Sequence, residues 1–159
     1  MNYMSVIDEI ITNAVLMSAV LSWLFAQVMK TVLHTVVTRQ FNAERLVGTG
    51  GMPSSHSATV CGLAGAVCIR LGPGSTEFAL AAALAIIVMY DALGIRRQAG
   101  KQAKVLNEMI DSFERLGEDN LSAEDKLKEF LGHTPLQVLV GAAIGILFSF
   151  LVCNVLLPY

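Results

Sequence analysis

Charge is scarce in this sequence. Only 15% of its 159 residues are Asp, Glu, Lys or Arg, against about 25% in an ordinary soluble domain. The net charge is −2, which argues against nucleic acid as a partner, since that needs a basic face. Three cysteines are present, Cys61, Cys68 and Cys153. They form no CxxC pair and sit in apolar stretches, which reads as packing and not as a disulfide or metal framework. No cage of acids and no His/Cys spacing suggests a metal, so neither metal nor cofactor is expected. The opening residues, "MNYMSVIDEI", lack Lys and Arg. A signal peptide needs a positive region there, so the first apolar stretch is expected to be retained.

What is abundant is apolar. Hydrophobic residues make up 54% of the chain and fall in blocks. A bilayer core of about 30 Å needs about 20 mostly apolar helical residues. Four stretches qualify, at about 10–37, 53–71, 76–95 and 135–157. The fold class expected is therefore all-α, a single membrane domain over 1–159 with about four transmembrane helices. Small residues in "GLAGAV", "ALAAALA" and "GAAIG" let helix backbones approach closely. Such faces pack within one chain or between copies, so a homo-oligomer is compatible with them.

Residues 96–132 are polar. Ala99, Ala103, Leu106, Met109 or Ile110, Phe113 and Leu116 recur at helical steps, which predicts an amphipathic helix. "GEDN" breaks it, and Ser122 can cap a second helix through Phe130. The segment reads as a helical hairpin between spans three and four.

Nine of the eleven Lys and Arg lie in the loops after spans one and three. Four spans put those loops on one side, and the positive-inside rule makes that side cytoplasmic. Four polar clusters then converge there: the Lys30/His34 end of span one, "GTGGMPSSHS" before span two, "DALGIRRQAGKQAK" after span three and "GHTPLQ" before span four. Pro53 with Ser54 or Ser55 forms a helix start whose free N–H groups suit an anion. Thr134 and Gln137 have capping-box spacing, with His133 just outside. Asp91 is an ionisable residue at the edge of a span, where such residues are costly and usually functional. Arg97, Lys101 and Lys104 share one helical face, an arrangement that an anion would stabilise. Two histidines, several cations and no cysteine nucleophile point to phosphate chemistry.

These motifs resemble the type-2 phosphatidic acid phosphatase superfamily, which includes lipid phosphatases and vanadium haloperoxidases, and more closely its divergent small-membrane-protein branch. "MPSSHS" is similar to the PSGH motif and "GHTPLQVLVG" to the H-x-P-x-D-V-x-x-G segment. The resemblance implies His133 as nucleophile and His56 as general acid. Ser54 and Ser55 match the phosphate cradle, Lys30 the first motif's lysine, and Arg97 or Arg96 the third motif's arginine; Lys101 joins them as a phosphate ligand. Ser55 replaces the usual glycine before the histidine. Gln137 replaces the acid that orients the nucleophile, and Asp91 is the candidate for supplying the missing charge. The activity implied is a metal-independent lipid phosphatase acting at the cytoplasmic face of a bacterial plasma membrane. Its substrate would be a phospholipid or polyprenyl phosphate. Two other expectations compete: a non-catalytic protein that binds or transports anionic lipid, and a structural subunit whose polar hairpin docks a partner.

Overall fold

The computed structural model describes residues 3–39, 51–115 and 133–158, with the side chains of residues 3, 4, 95–97 and 113–115 outside that description. The described residues are all-α: α1 (Tyr3–Thr12), α2 (Ala14–Thr38), α3 (Ser55–Leu71), α4 (Thr76–Leu93), α5 (Ile95–Arg115) and α6 (Pro135–Leu151), followed by a π-helical turn over Val152–Leu156. Three segments, Ala14–Thr38, Thr76–Ser112 and Pro135–Leu156, are long and apolar enough to cross a membrane.

The helix in the middle, α3, is the least lipid-like. It packs against α2, α4 and α6, and none of residues 55–70 is exposed. Its 17 residues rise about 25 Å, close to the thickness of the hydrocarbon layer. Small side chains explain its central place, because lipid gives helices no hydrophobic reason to associate and backbone approach must supply the packing. A Cβ added at Gly62 would meet Ser22 and the Ser18 carbonyl on α2, and one at Gly65 would meet Ser149 on α6. Ser22 and Ser149 send their hydroxyls to carbonyls of their own helices, Ser18 and Ile146. These buried serines are therefore satisfied without a partner helix. Lipid meets the outer helices instead, and Leu80, Leu84, Ile86 and Ile87 of α4 are all exposed.

Three hydrogen bonds fix which ends lie together. Lys30 of α2 reaches Ser55 of α3. The Ser54 N–H donates to the Gln137 carbonyl of α6, and the His133 N–H donates to the Ala92 carbonyl of α4. The C-terminal ends of α2 and α4 thus meet the N-terminal ends of α3 and α6. At the other end, Arg70 of α3 donates to the Leu157 carbonyl.

Element bounds depart from the sequence expectation in four places, the second span starting at Ser55 behind its Ser54 cap and not at 53. The first span, expected over 10–37, starts at Ala14, because the Asn13 side chain accepts the N–H groups of Val15 and Leu16 and caps a new helix. The third, expected to 95, ends at Leu93, where the Gly94 N–H closes onto the Tyr90 carbonyl. The fourth, expected over 135–157 as one helix, widens to a π turn after Leu151, with the Leu157 N–H reaching back to Val152. The first arm of the polar hairpin is a helix, as expected. Gly100, Ala103 and Asn107 are its covered positions, whereas Leu106 and Met109 are exposed. The second arm and the "GEDN" break lie outside the described residues.

Candidate active site

Each histidine is held at the start of a helix. The Ser54 Oγ accepts the Ser57 N–H and caps α3, which sets His56 in the first turn. Thr134 caps α6 with a full capping box and Pro135 at the first helical position, which leaves His133 just ahead of the helix. The backbone bonds from Ser54 to Gln137 and from His133 to Ala92 lock α3, α4 and α6 together at this point. The outcome is that His56 and His133, 77 positions apart in the sequence, have ring centroids 6.1 Å apart at an edge-on angle of 60°.

The tautomer of His133 follows from its neighbours. Gln137 Oε1 accepts the Thr134 N–H at 3.1 Å. A backbone N–H is an obligate donor, so the amide atom it meets must be the oxygen. That same oxygen lies 3.2 Å from His133 Nδ1, so Nδ1 must carry the proton. In the neutral ring Nε2 is then left with its lone pair, the form a nucleophilic imidazole needs. His133 is buried, at 4% exposure, while His56 is half-buried.

Lys30 brings charge to the same end. It is 3% exposed, with Nζ 2.7 Å from Gln27 Oε1 and 3.5 Å from Ser55 Oγ. Gly51 lies against its stem, where a Cβ would be 3.4 Å from Lys30 Cγ. Gly51 has φ of +85°, a conformation that favours glycine. A cavity of about 220 Å³ opens beside Lys30, walled by Leu33, His34, Thr38 and Met52.

The other candidates divide. Ser54 is fully buried and committed to the cap. It shapes the run of N–H groups at the start of α3, while Ser55 is the serine beside Lys30. Asp91 is half-buried in the last turn of α4, next to the carbonyl that holds His133. The His133 Nδ1 position is taken by Gln137. Arg96 and Arg97 open α5, with side chains outside the described residues. Lys101 is exposed on α5, as is Lys104, which pairs with Glu108 at 3.7 Å.

Sequence reasoning overlooked Gln27. The signal was present: Gln27, Lys30, Thr31, His34 and Thr38 form a polar stripe at three- and four-residue steps through an apolar helix. Such a stripe marks the face turned away from lipid.

These features define an all-α integral membrane protein with a polar site where the ends of α2, α3, α4 and α6 converge. Comparison with known proteins then gives the family. Residues 11–148 match the Divergent PAP2 family. The chain is also 40% identical over 149 residues to the "Uncharacterized membrane protein YuiD" of Bacillus subtilis (strain 168), a match covering 89% of this chain and 94% of that protein. No solved structure matches. The chain belongs to the Divergent PAP2 family.

Proposed function

We propose that the protein is a metal-independent phosphatase that hydrolyses a lipid phosphate monoester or diphosphate at the cytoplasmic membrane face. The observation carrying this reading is the pair of imidazoles 6.1 Å apart, with Nδ1 of His133 turned to Gln137. An in-line displacement needs a nucleophile about 3–3.5 Å from phosphorus and an acid about 2.6–3.2 Å from the departing oxygen. Adding the P–O bond, the two nitrogens should stand on the order of 6–8 Å apart, a range that rings at this separation can meet.

In the reaction, His133 Nε2 attacks phosphorus as the bond to the lipid oxygen breaks. His56 gives its proton to that oxygen. Neutral His56 then takes a proton from water, whose oxygen displaces His133 and releases phosphate. The Lys30 ammonium, Ser55 and the N–H groups at the start of α3 hold the equatorial oxygens. Arg96, Arg97 and Lys101 add attraction for the anion at longer range. Asp91 and Gln137 stabilise the His133 ring, through charge and through a hydrogen bond respectively.

Gln137 gives a sharp test. Glutamate has the same length, accepts both N–H groups and adds the charge that a phosphorylated ring would favour. Gln137→Glu is expected to keep or raise kcat. Gln137→Leu leaves the Thr134 and His133 N–H groups without their acceptor and should lower kcat by roughly 10²–10⁴-fold through loss of the tautomer. Losing the cap should cost only about 1 kcal/mol of stability. Steady-state rates beside melting curves separate the two effects, and a folded Gln137→Leu protein with wild-type kcat rejects the orienting role.

The same neutral partner favours a second reading, a non-catalytic protein that binds or moves anionic lipid. Purified protein incubated with a panel of lipid phosphates in the presence of chelator decides between them. Released phosphate supports the enzyme; binding without release across the panel supports the second reading.

A further inference from the structure

Lys30 sits where a lysine does not ordinarily keep its charge. It lies about 12 Å short of the end of α2 at Thr38, within a helix apolar enough to cross a membrane. A lysine at such a depth usually snorkels, sending its ammonium along the four-carbon stem toward the nearer aqueous end. Room for that exists here. The cavity of about 220 Å³ beside Lys30 is lined by His34 and Thr38, the polar residues one and two turns nearer that end. Yet the ammonium is turned the other way. Its Nζ is 2.7 Å from Oε1 of Gln27, which lies one turn further from that end, and both residues are buried. We propose that Gln27 is a positioning residue: it holds the Lys30 ammonium inward, against snorkelling, so that Lys30 and Ser55 meet the phosphoryl group of the substrate. This inference rests on the reading of the histidine corner as a phosphate site and names the group that sets its cation.

Three features fit Gln27 to this task. An ammonium only donates, so the amide atom it meets is the oxygen. A hydrogen bond from an ionised donor is roughly twice as strong as a neutral one, and burial leaves little water to compete for it. The amide is also neutral. It holds the ammonium without setting a negative charge beside the anion that the ammonium serves.

The effect passes on to α3. Lys30 Nζ lies 3.5 Å from Ser55 Oγ. Facing a group that can only donate, Ser55 turns a lone pair to it and sends its own proton elsewhere. Ser55 is buried, and among the described residues nothing accepts that proton. Ser55 is the first residue of α3, so its hydroxyl becomes a donor beside the N–H groups that begin the helix, where an anion is favoured. Gln27, Lys30 and Ser55 thus form a chain in which each group orients the next. Released from Gln27, the ammonium would swing toward His34 and Thr38, and the Ser55 hydroxyl would lose its fixed direction.

The test uses the full chain in neutral detergent and two readouts. One is acylation of Lys30 by a water-soluble N-hydroxysuccinimide ester, followed by mass spectrometry, with the exposed Lys104 as reference. The other is the Kd for inorganic phosphate, measured by calorimetry in the presence of chelator. In the wild type Lys30 should acylate far more slowly than Lys104. Gln27→Met keeps the side-chain length and removes the acceptor. Its Lys30 should acylate at a rate approaching that of Lys104, and its phosphate Kd should rise about tenfold, as expected for one misplaced charge-assisted bond. On a lipid phosphate KM should rise by a similar factor with kcat little changed. Gln27→Glu should keep Lys30 protected and still raise the phosphate Kd, because its carboxylate opposes the anion. A side chain that only fills space would move neither Kd. Unchanged acylation of Lys30 in Gln27→Met overturns the positioning role. Faster acylation with a wild-type phosphate Kd overturns its service to the site. Where Gln27→Met does not fold, a wild-type phosphate Kd in Gln27→Glu overturns the proposal. A wild-type protein that binds no phosphate, while Gln27 still protects Lys30, overturns the phosphate reading and leaves the contact as a structural one.

Discussion

His133→Ala is expected to abolish phosphate release, lowering kcat by roughly 10⁴–10⁶-fold, the scale at which removal of a covalent nucleophile acts. His56→Ala should behave differently. A general acid contributes roughly 10²–10⁴-fold, and only to the extent that the departing oxygen needs a proton. The loss should therefore be large for an alkyl phosphate and small for a nitrophenyl phosphate, whose leaving group departs as a stable anion. Both variants are expected to fold. The bonds that anchor this corner are backbone bonds, from His133 to Ala92 and from Ser54 to Gln137, and alanine keeps them. Rates measured on the two ester types for both variants give four numbers that only this division of roles explains. Equal losses on both esters in His56→Ala would remove it from the acid's role. A wild-type rate in His133→Ala would end the assignment altogether.

The two imidazoles were readable in the sequence because each sits in a helix start with its own chemistry. Pro-Ser before His56, and Thr-Pro with Gln137 after His133, are local signals, and local signals survive folding. The convergence of four polar clusters was readable for a related reason. Apolar blocks of bilayer length force the chain to alternate sides, and alternation brings the loop ends together. What failed was axial detail. Asn13 looked like one polar residue inside an apolar run, yet its Oδ1 spans two N–H groups and starts α2 afresh. On α5, period alone cannot say which of two adjacent stripes is covered when both contain small and apolar residues. The stripe through Gly100 and Asn107 is the covered one, although Leu106 and Met109 are the greasier residues. In a membrane bundle small residues mark contact better than large ones do, because large apolar side chains are equally content in lipid. Gln27 was missed because a neutral amide carries no charge signature, even though it stands 2.7 Å from the buried Lys30 ammonium.

That same rule yields the second large effect. Gly141 of α6 sits against the backbone of Ser54, and a Cβ built on it would collide with the Ser54 carbonyl oxygen and lie 3.1 Å from the Ser57 Cβ. The obstacle is main chain at the start of α3, which cannot swing away as a side-chain tip can. Gly141→Ala is therefore expected to push α6 off α3. It should cost about 1–3 kcal/mol, the usual scale of overpacking, although alanine is the better helix former by about 1 kcal/mol. The displacement falls on the bond from the Ser54 N–H to the Gln137 carbonyl, 3.0 Å long, and so on the spacing of the two imidazoles. Activity should fall further than stability, because a shift of about 1 Å at reacting groups costs on the order of 10²-fold in rate. Gly74→Ala is the control, since nothing lies within 4 Å of a Cβ there; its effect should stay within about 0.5 kcal/mol. Melting curves and initial rates on the same preparations decide the matter. If Gly141→Ala matches the wild type in both, the helices are not held by backbone contact at this point, and the histidine pair is positioned by something other than the α3–α6 seam.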